Sequence, residues 1–310
     1  MLTLETMTYE VTGRVARITL NRPARGNGIT FAMPRELADC VERADLDPAV
    51  HVIVLAGNGA GFCGGYDLVA SAEQNMRSVS GDAPAPAPAF WHGSPMDPLV
   101  QAKNHTPGET WDPTVDYAMM SRNVRGFMSL FFANKPVVCK VHGFCVAGGT
   151  DMALCSDLLV VEDVAKIGYP PARVWGVPTT ALWTYRVGVA RAKRLLFTGD
   201  SISGTQAVEW GLAAEAPPRA QLDEVTEALV ERIARVPVNQ LVMMKLQLNQ
   251  TILAQGLPAA QVLGTLLDGV ARHTKEGYAF QQRAMEAGFK QAVLERDGPF
   301  GDAGRKTSVP

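Results

Sequence analysis

What the chain lacks narrows the field first. None of its 310 residues fall in an apolar run near the ~20 residues that a membrane-crossing helix needs. The opening MLTLETMTYE has no basic stretch followed by an apolar one, so no export signal is expected. Cysteine is sparse: Cys40, Cys63, Cys139, Cys145 and Cys155 form no CxxC pair and no metal-type Cys/His spacing. Such a scattered, odd set reads as free thiols of a reducing compartment, with no metal site expected. An excess of one charge is also missing. A net charge of -2 gives no electrostatic ground for nucleic acid or an anionic membrane as partner. A cytoplasmic globular protein is the expectation. Its 47% hydrophobic against 19% charged residues can bury a core, which excludes disorder of the whole chain.

Tyr9–Val11 and Val15–Leu20 flank Thr12-Gly13 and read as a hairpin. Asn21-Arg22-Pro23 ends the second strand. Thr30 is placed to cap a helix starting near Met33-Pro34, along which Met33, Leu37, Val41 and Ala44 recur at helical spacing. The β-branched run Val50–Ala56 predicts a buried strand. Residues 71–113 stand apart. Pro84, Pro86 and Pro88 alternate with alanine there and favour an extended polyproline conformation. A polar tract of this length reads as a mobile or partner-ordered loop, or as a substrate lid. His92 and His105 lie in it and read as solvated loop histidines.

Val115–Asn134 predicts a helix stopped by Lys135-Pro136. Val137–Val141 is a further buried strand, Gly148–Leu154 opens a buried helix, and Leu158–Glu162 and Lys166–Gly168 are short strands. Beyond Pro178 the pattern turns helical. Ser203 and Gln206 form a capping box, and 220–235, 239–254, 259–272 and 275–295 are candidate helices. This is an α/β layout: a core over 1–200, carrying the 71–113 insertion, then a helical region over 201–310.

Two segments concentrate the chemistry. Gly57–Leu68 (GNGAGFCGGYDL) and Val141–Asp151 (VHGFCVAGGTD) each follow a strand and lead toward a helix. Glycine lets the backbone approach a ligand closely. The first N–H groups of a helix lack internal partners and favour negative charge. Two such loops face to face can offer two N–H donors to one oxygen. Either loop alone is equally a tight strand-to-helix turn. Neither is a GxGxxG or a GxxxxGK[ST] motif.

Three stretches in order resemble the crotonase (enoyl-CoA hydratase/isomerase) superfamily. Phe62-Cys63-Gly64-Gly65-Tyr66-Asp67-Leu68 is similar to its F-C-A-G-x-D-L segment. Lys135-Pro136-Val137-Val138, with Gly143 and Ala147-Gly148-Gly149, resembles its K-P-V-I-A segment and the glycine triplet that follows. Asn21-Arg22-Pro23 with Asn27-Gly28 looks like its N-R-P opening. The resemblance implies a crotonase-like spiral of ββα units with a C-terminal helical region that builds trimers or dimers of trimers. It implies an acyl-CoA substrate and no separate cofactor, coenzyme A being part of the substrate. The thioester oxygen would lie between the main-chain N–H groups of Tyr66 and Gly148. Arg25, Gly64, Asp67, His142 and Tyr169 would line the substrate or its coenzyme A. Lys290 and Arg296, on the last helix, would approach a neighbouring subunit's coenzyme A or remain surface cations.

The sequence departs from that pattern in two places. Hydratases of the family carry two glutamates. At the first position stands Asp151, a shorter carboxylate, which is either the general acid/base or an acid complementing a helix dipole. The second position maps to Pro171 or Ala172, and neither moves a proton. His142, nine residues before Asp151, is either structural or a partner for C–C bond hydrolysis. Arg173 is either a pocket residue or a surface charge. The leading expectation is an enoyl-CoA hydratase/isomerase-like enzyme working through a stabilised enolate. The alternatives are a crotonase-type C–C bond or thioester hydrolase and a non-catalytic acyl-CoA-binding protein.

Overall fold

The computed structural model describes residues 1–68 and 91–301. Its main sheet grows from the predicted hairpin. Strand β2 (Met7–Thr12) pairs antiparallel with β3 (Val15–Leu20), and Gly13 between them takes φ 59°. Strand β1 (Leu2–Thr3) adds outside β2. Strands β4 (Val52–Gly57), β5 (Val137–Val141) and β7 (Leu158–Val161) then add in parallel, giving the order β1-β2-β3-β4-β5-β7. A second sheet runs β6 (Phe144–Val146), β8 (Lys166–Gly168) and β9 (Ser201–Ile202).

Every residue of β4 is buried, as befits a parallel strand covered on both faces. Ile53 and Leu55 join Leu37 and Val41 of helix α1 (Met33–Leu46), and Phe127 and Leu130 of helix α3 (Pro113–Phe132), in one core. Val52 and Val54 point the other way, into a second core closed by Leu222 and Val230 of helix α8 (Leu222–Ala234). The period-two alternation of one strand thus feeds two cores.

Several sequence expectations change. Thr30 does not cap α1; Ala32 stands at the cap without a side-chain bond. The insertion is not wholly loop. Its described part contains helix α2 (Pro98–Asn104), where Pro98 sits in the first turn and the Asp97 carboxylate accepts the Leu99 N–H at 2.9 Å. The 84–88 proline stretch lies outside the described residues. His92 is exposed, but His105 is not solvated. Its Nε2 lies 3.3 Å from the buried Asp116 carboxylate, because α2 folds back on α3.

Helix α4 (Gly148–Ala153) follows β6. Helices α5 (Trp183–Val187), α6 (Val189–Thr198) and α7 (Gly204–Glu209) lead out of the core, the last with the predicted Ser203–Gln206 capping box. The tail continues as α9 (Val238–Ala254) and α10 (Leu257–Arg272). Pro258 falls in the first turn of α10, where a missing N–H costs nothing. The predicted final helix is two, α11 (Lys275–Ala287) and α12 (Phe289–Asp297), because Gly288 turns with φ 85°. Arg173 is no surface charge. It is buried and binds the Asp297 carboxylate at 2.9 Å and the Thr198 carbonyl at 2.9 Å.

Candidate active site

The two glycine loops lie side by side. Phe62 and Cys63 donate their N–H groups to the Phe144 carbonyl at 2.9 and 3.2 Å, and Val146 N–H donates to the Cys63 carbonyl at 3.1 Å. On the other flank, Ile29 N–H donates to Gly65 O and Asp67 N–H donates to Ile29 O. Strand alternation therefore turns the Tyr66 N–H away from Ile29, to the flank occupied by 144–148. The approach is close enough to require glycine. A methyl at Gly149 would stand 2.5 Å from the Cys63 carbonyl oxygen, and one at Gly65 would meet Ala147 Cβ at 2.7 Å.

Ala147 adopts φ 54°, the left-handed region that a β-carbon disfavours. Its N–H donates to Gly168 O at 3.0 Å and its carbonyl accepts from Thr150, so bonds on both sides hold the strained residue. This turn brings Gly148 to the start of α4, where its N–H has no acceptor inside the helix. Among the described residues, neither the Tyr66 nor the Gly148 amide donates to a backbone carbonyl of a turn, loop or cap.

Asp151, in the first turn of α4, is 1% exposed. Thr180 donates both its backbone N–H (3.1 Å) and its hydroxyl (2.8 Å) to Asp151 Oδ1. The other oxygen, Oδ2, is buried and has no hydrogen-bond partner among the described residues. Burial pushes the carboxyl up to about 7, partly offset by the Thr180 bonds and reinforced by the nearby Asp268 charge. Asp268 comes from α10, accepts the Val177 N–H at 3.2 Å, and pairs with Arg272. Its own carboxyl is raised, again by burial first. Sequence reading missed Asp268. One aspartate in an amphipathic helix of the tail carries no local signal that it turns inward.

Tyr169 is buried, and its hydroxyl donates to Val177 O at 3.1 Å. The charges of Asp151 and Asp268 and the phenol of Tyr66 all act on it, so these four residues share one buried neighbourhood. Pro171 lies in a short 3₁₀ turn, Pro170–Arg173, and supplies no protic group. Arg25 and Arg22 both bind the buried Asp67 carboxylate, at 3.0 and 2.9 Å, which ties the N-R-P turn to the first glycine loop. Arg25 remains partly exposed beside Gly64, itself exposed, with its N–H on Gly26 O. His142 does not face Asp151. Its Nε2 meets the Gly59 carbonyl at 2.9 Å, and Glu162, Lys140 and Arg219 are the charges around it. Burial lowers its pKa, keeping it a neutral strut behind the loops.

Two interleaved glycine loops thus flank a buried carboxylate, and comparison with known proteins gives the class. The enoyl-CoA hydratase/isomerase family model matches residues 10–85 and 112–283, and the chain belongs to that family. A crystal structure of an enoyl-CoA hydratase from Mycobacterium smegmatis superposes with a TM-score of 0.90 at 55% identity, covering 99% of this chain and 98% of that one. The 1,2-epoxyphenylacetyl-CoA isomerase of Escherichia coli is 28% identical over 76% of this chain and 78% of its own length. The 2,3-dehydroadipyl-CoA hydratase of the same organism is 27% identical over 87% and 93%. The protein is thus an α/β enzyme of the enoyl-CoA hydratase/isomerase family, as its motifs predicted.

Proposed function

We propose that this enzyme enolises an acyl-CoA thioester and moves the proton with Asp151 alone. The thioester oxygen binds between the Tyr66 and Gly148 amides, each such donor being worth roughly 3 kcal/mol to the developing oxyanion. The observation that carries this reading is the unpartnered Oδ2 of Asp151, buried beside the paired loops on a carboxyl held at about 7. Near neutral pH such a group takes a proton and gives it back with little bias, which is what isomerisation and hydration of an enoyl thioester both ask. His142, turned to Gly59, does not favour the C–C hydrolase reading.

The test is mass spectrometry of the pure protein with a panel of enoyl- and β-oxoacyl-CoA thioesters in D2O. Deuterium at the α-carbon, with a water gained or a shifted double bond, is expected. A panel returned without deuterium and without product would refute the proposal.

Arg25, whose guanidinium is partly exposed, would receive coenzyme A phosphate with Gly64 nearby, and the reading requires no separate cofactor. Residues 1–200 make the spiral core and 201–310 the oligomerising region. The exposed Met244 and Leu248 of α9 and Val262 and Leu263 of α10 support a homotrimer or dimer of trimers, since apolar surface of this extent favours burial against a second copy. No helix among the described residues is long and apolar enough to cross a membrane, and a cytoplasmic location fits the free thiols.

A further inference from the structure

Tyr66 has a side chain as well as an amide, and the side chain is oddly placed. Its ring lies on Gly148: a methyl there would stand 2.8 Å from Tyr66 Cε2. Its hydroxyl is buried and finds no hydrogen-bond partner among the described residues. Buried hydroxyls are usually paired, so an orphan beside a reaction site points to a missing ligand. Its surroundings are polar. The charges of Asp151, Asp268 and Arg272 act on the phenol, and the Asn123 amide of α3 faces it without reaching hydrogen-bond geometry. Apolar Met96, Met119 and Met120 also pack against Tyr66. Pro171 and Ala172, where a second carboxylate would stand, leave that task open.

We propose that the Tyr66 hydroxyl holds the oxygen at the β-carbon of the acyl chain, the attacking water in hydration and the β-hydroxyl in the reverse direction. This rests on the reading of the two amides and Asp151 given above. In hydration the water oxygen bonds to Cβ and one water proton passes to the Asp151 carboxylate. The π pair moves onto the thioester oxygen as an enolate. Asp151 then returns the proton to Cα, and the carbonyl re-forms. Tyr66 Oη accepts the hydrogen that stays on the transferred oxygen. Its own proton does not leave, because burial and two carboxylates hold the phenol neutral.

Tyr66→Phe keeps the ring on Gly148 and keeps the amide. Two rates are measured for it and for the parent enzyme: α-hydrogen exchange of butyryl-CoA in D2O, and hydration of crotonyl-CoA. Hydration kcat is expected to fall roughly 10²-fold further than exchange, at nearly constant KM. Hydration left unchanged, or both rates falling together, would overturn the inference. A second measurement needs no variant. The parent enzyme should bind 3-hydroxybutyryl-CoA roughly tenfold more tightly than butyryl-CoA, the worth of one hydrogen bond. Equal affinities overturn the inference. A parent enzyme that exchanges no α-hydrogen takes down the reading of Asp151 as well, whereas intact exchange with an indifferent Tyr66 removes this inference alone.

Discussion

Thr180 gives two hydrogen bonds to one oxygen of Asp151, from its amide at 3.1 Å and its hydroxyl at 2.8 Å, and leaves the second oxygen bare. The carboxylate is clamped at one end and available at the other. On the proposed reading, such an arrangement fixes where the proton is picked up and put down. It also tunes the affinity for that proton, since both bonds favour the charged form.

Asp151→Asn keeps the shape and the Thr180 contact but cannot accept a proton. Turnover of an enoyl-CoA should fall at least ~10²-fold, the usual contribution of a general base. In the parent enzyme kcat should rise through pH 7 as Asp151 ionises, and the residual rate of Asp151→Asn should show no such inflection. A pH–rate profile of the two proteins checks this.

The same substitution should raise stability at alkaline pH. The folded carboxyl titrates near 7 against an ordinary 3.8, so between these values the folded state binds more protons than the unfolded one. Stability therefore falls as pH rises through that window and is flat above it. Three units correspond to at most roughly 4 kcal/mol. Urea denaturation should find Asp151→Asn more stable than the parent at pH 8 and little different at pH 4.

Thr180→Val removes the hydroxyl donor and keeps the amide. Losing a bond to the charged form raises the carboxyl further, so the kcat inflection should move to higher pH by roughly half a unit to one unit. A profile that stays put, or moves toward acid, would contradict this account of the clamp.

Gly149→Ala would force a methyl to within 2.5 Å of the Cys63 carbonyl oxygen, and only a separation of the two loops relieves it. A cost of roughly 2–3 kcal/mol in stability is expected, from overpacking against backbone. Activity should fall by ~10²-fold with it, since donor placement matters at the scale of an ångström. Thermal melts and kcat/KM measure the two effects separately.

Lys245 of α9 buries its ammonium on the Leu130 and Lys135 carbonyls, at 2.9 and 3.1 Å, and on the Asp157 carboxylate at 2.8 Å. Lys245→Met takes the ammonium from both carbonyls and from Asp157, which keeps the Val137 N–H at 2.6 Å. A loss of roughly 3 kcal/mol is expected by urea denaturation, with kcat/KM of the folded fraction nearly unchanged.

Much of this was legible from the chain because local rules and the fold agree. Gly13 marks the hairpin, Ser203 with Gln206 marks a helix start, and the strand β4 is a short apolar run that opens with three β-branched residues. The glycine loops were legible as sites of close approach, and the hydrogen bonds among Phe62, Cys63, Phe144 and Val146 bring them together. What escaped is long-range. His105 reads as a solvated residue of a polar tract, yet it meets Asp116 on α3, while His273 at the end of α10 lies 3.5 Å from the same carboxylate. Arg173 reads as either a pocket residue or a surface charge because its partners Thr198 and Asp297 are far away in sequence. Asp268 escaped for the same reason. Pairings across such separations depend on how helices pack, which no local period records.

The zipper between Cys63 and Val146 has one more implication. On the proposed reading, the groups it positions at Tyr66 and Gly148 are peptide N–H groups, which every amino acid except proline supplies. Drift in the surrounding side chains can thus remodel which molecules enter without disturbing the anchor.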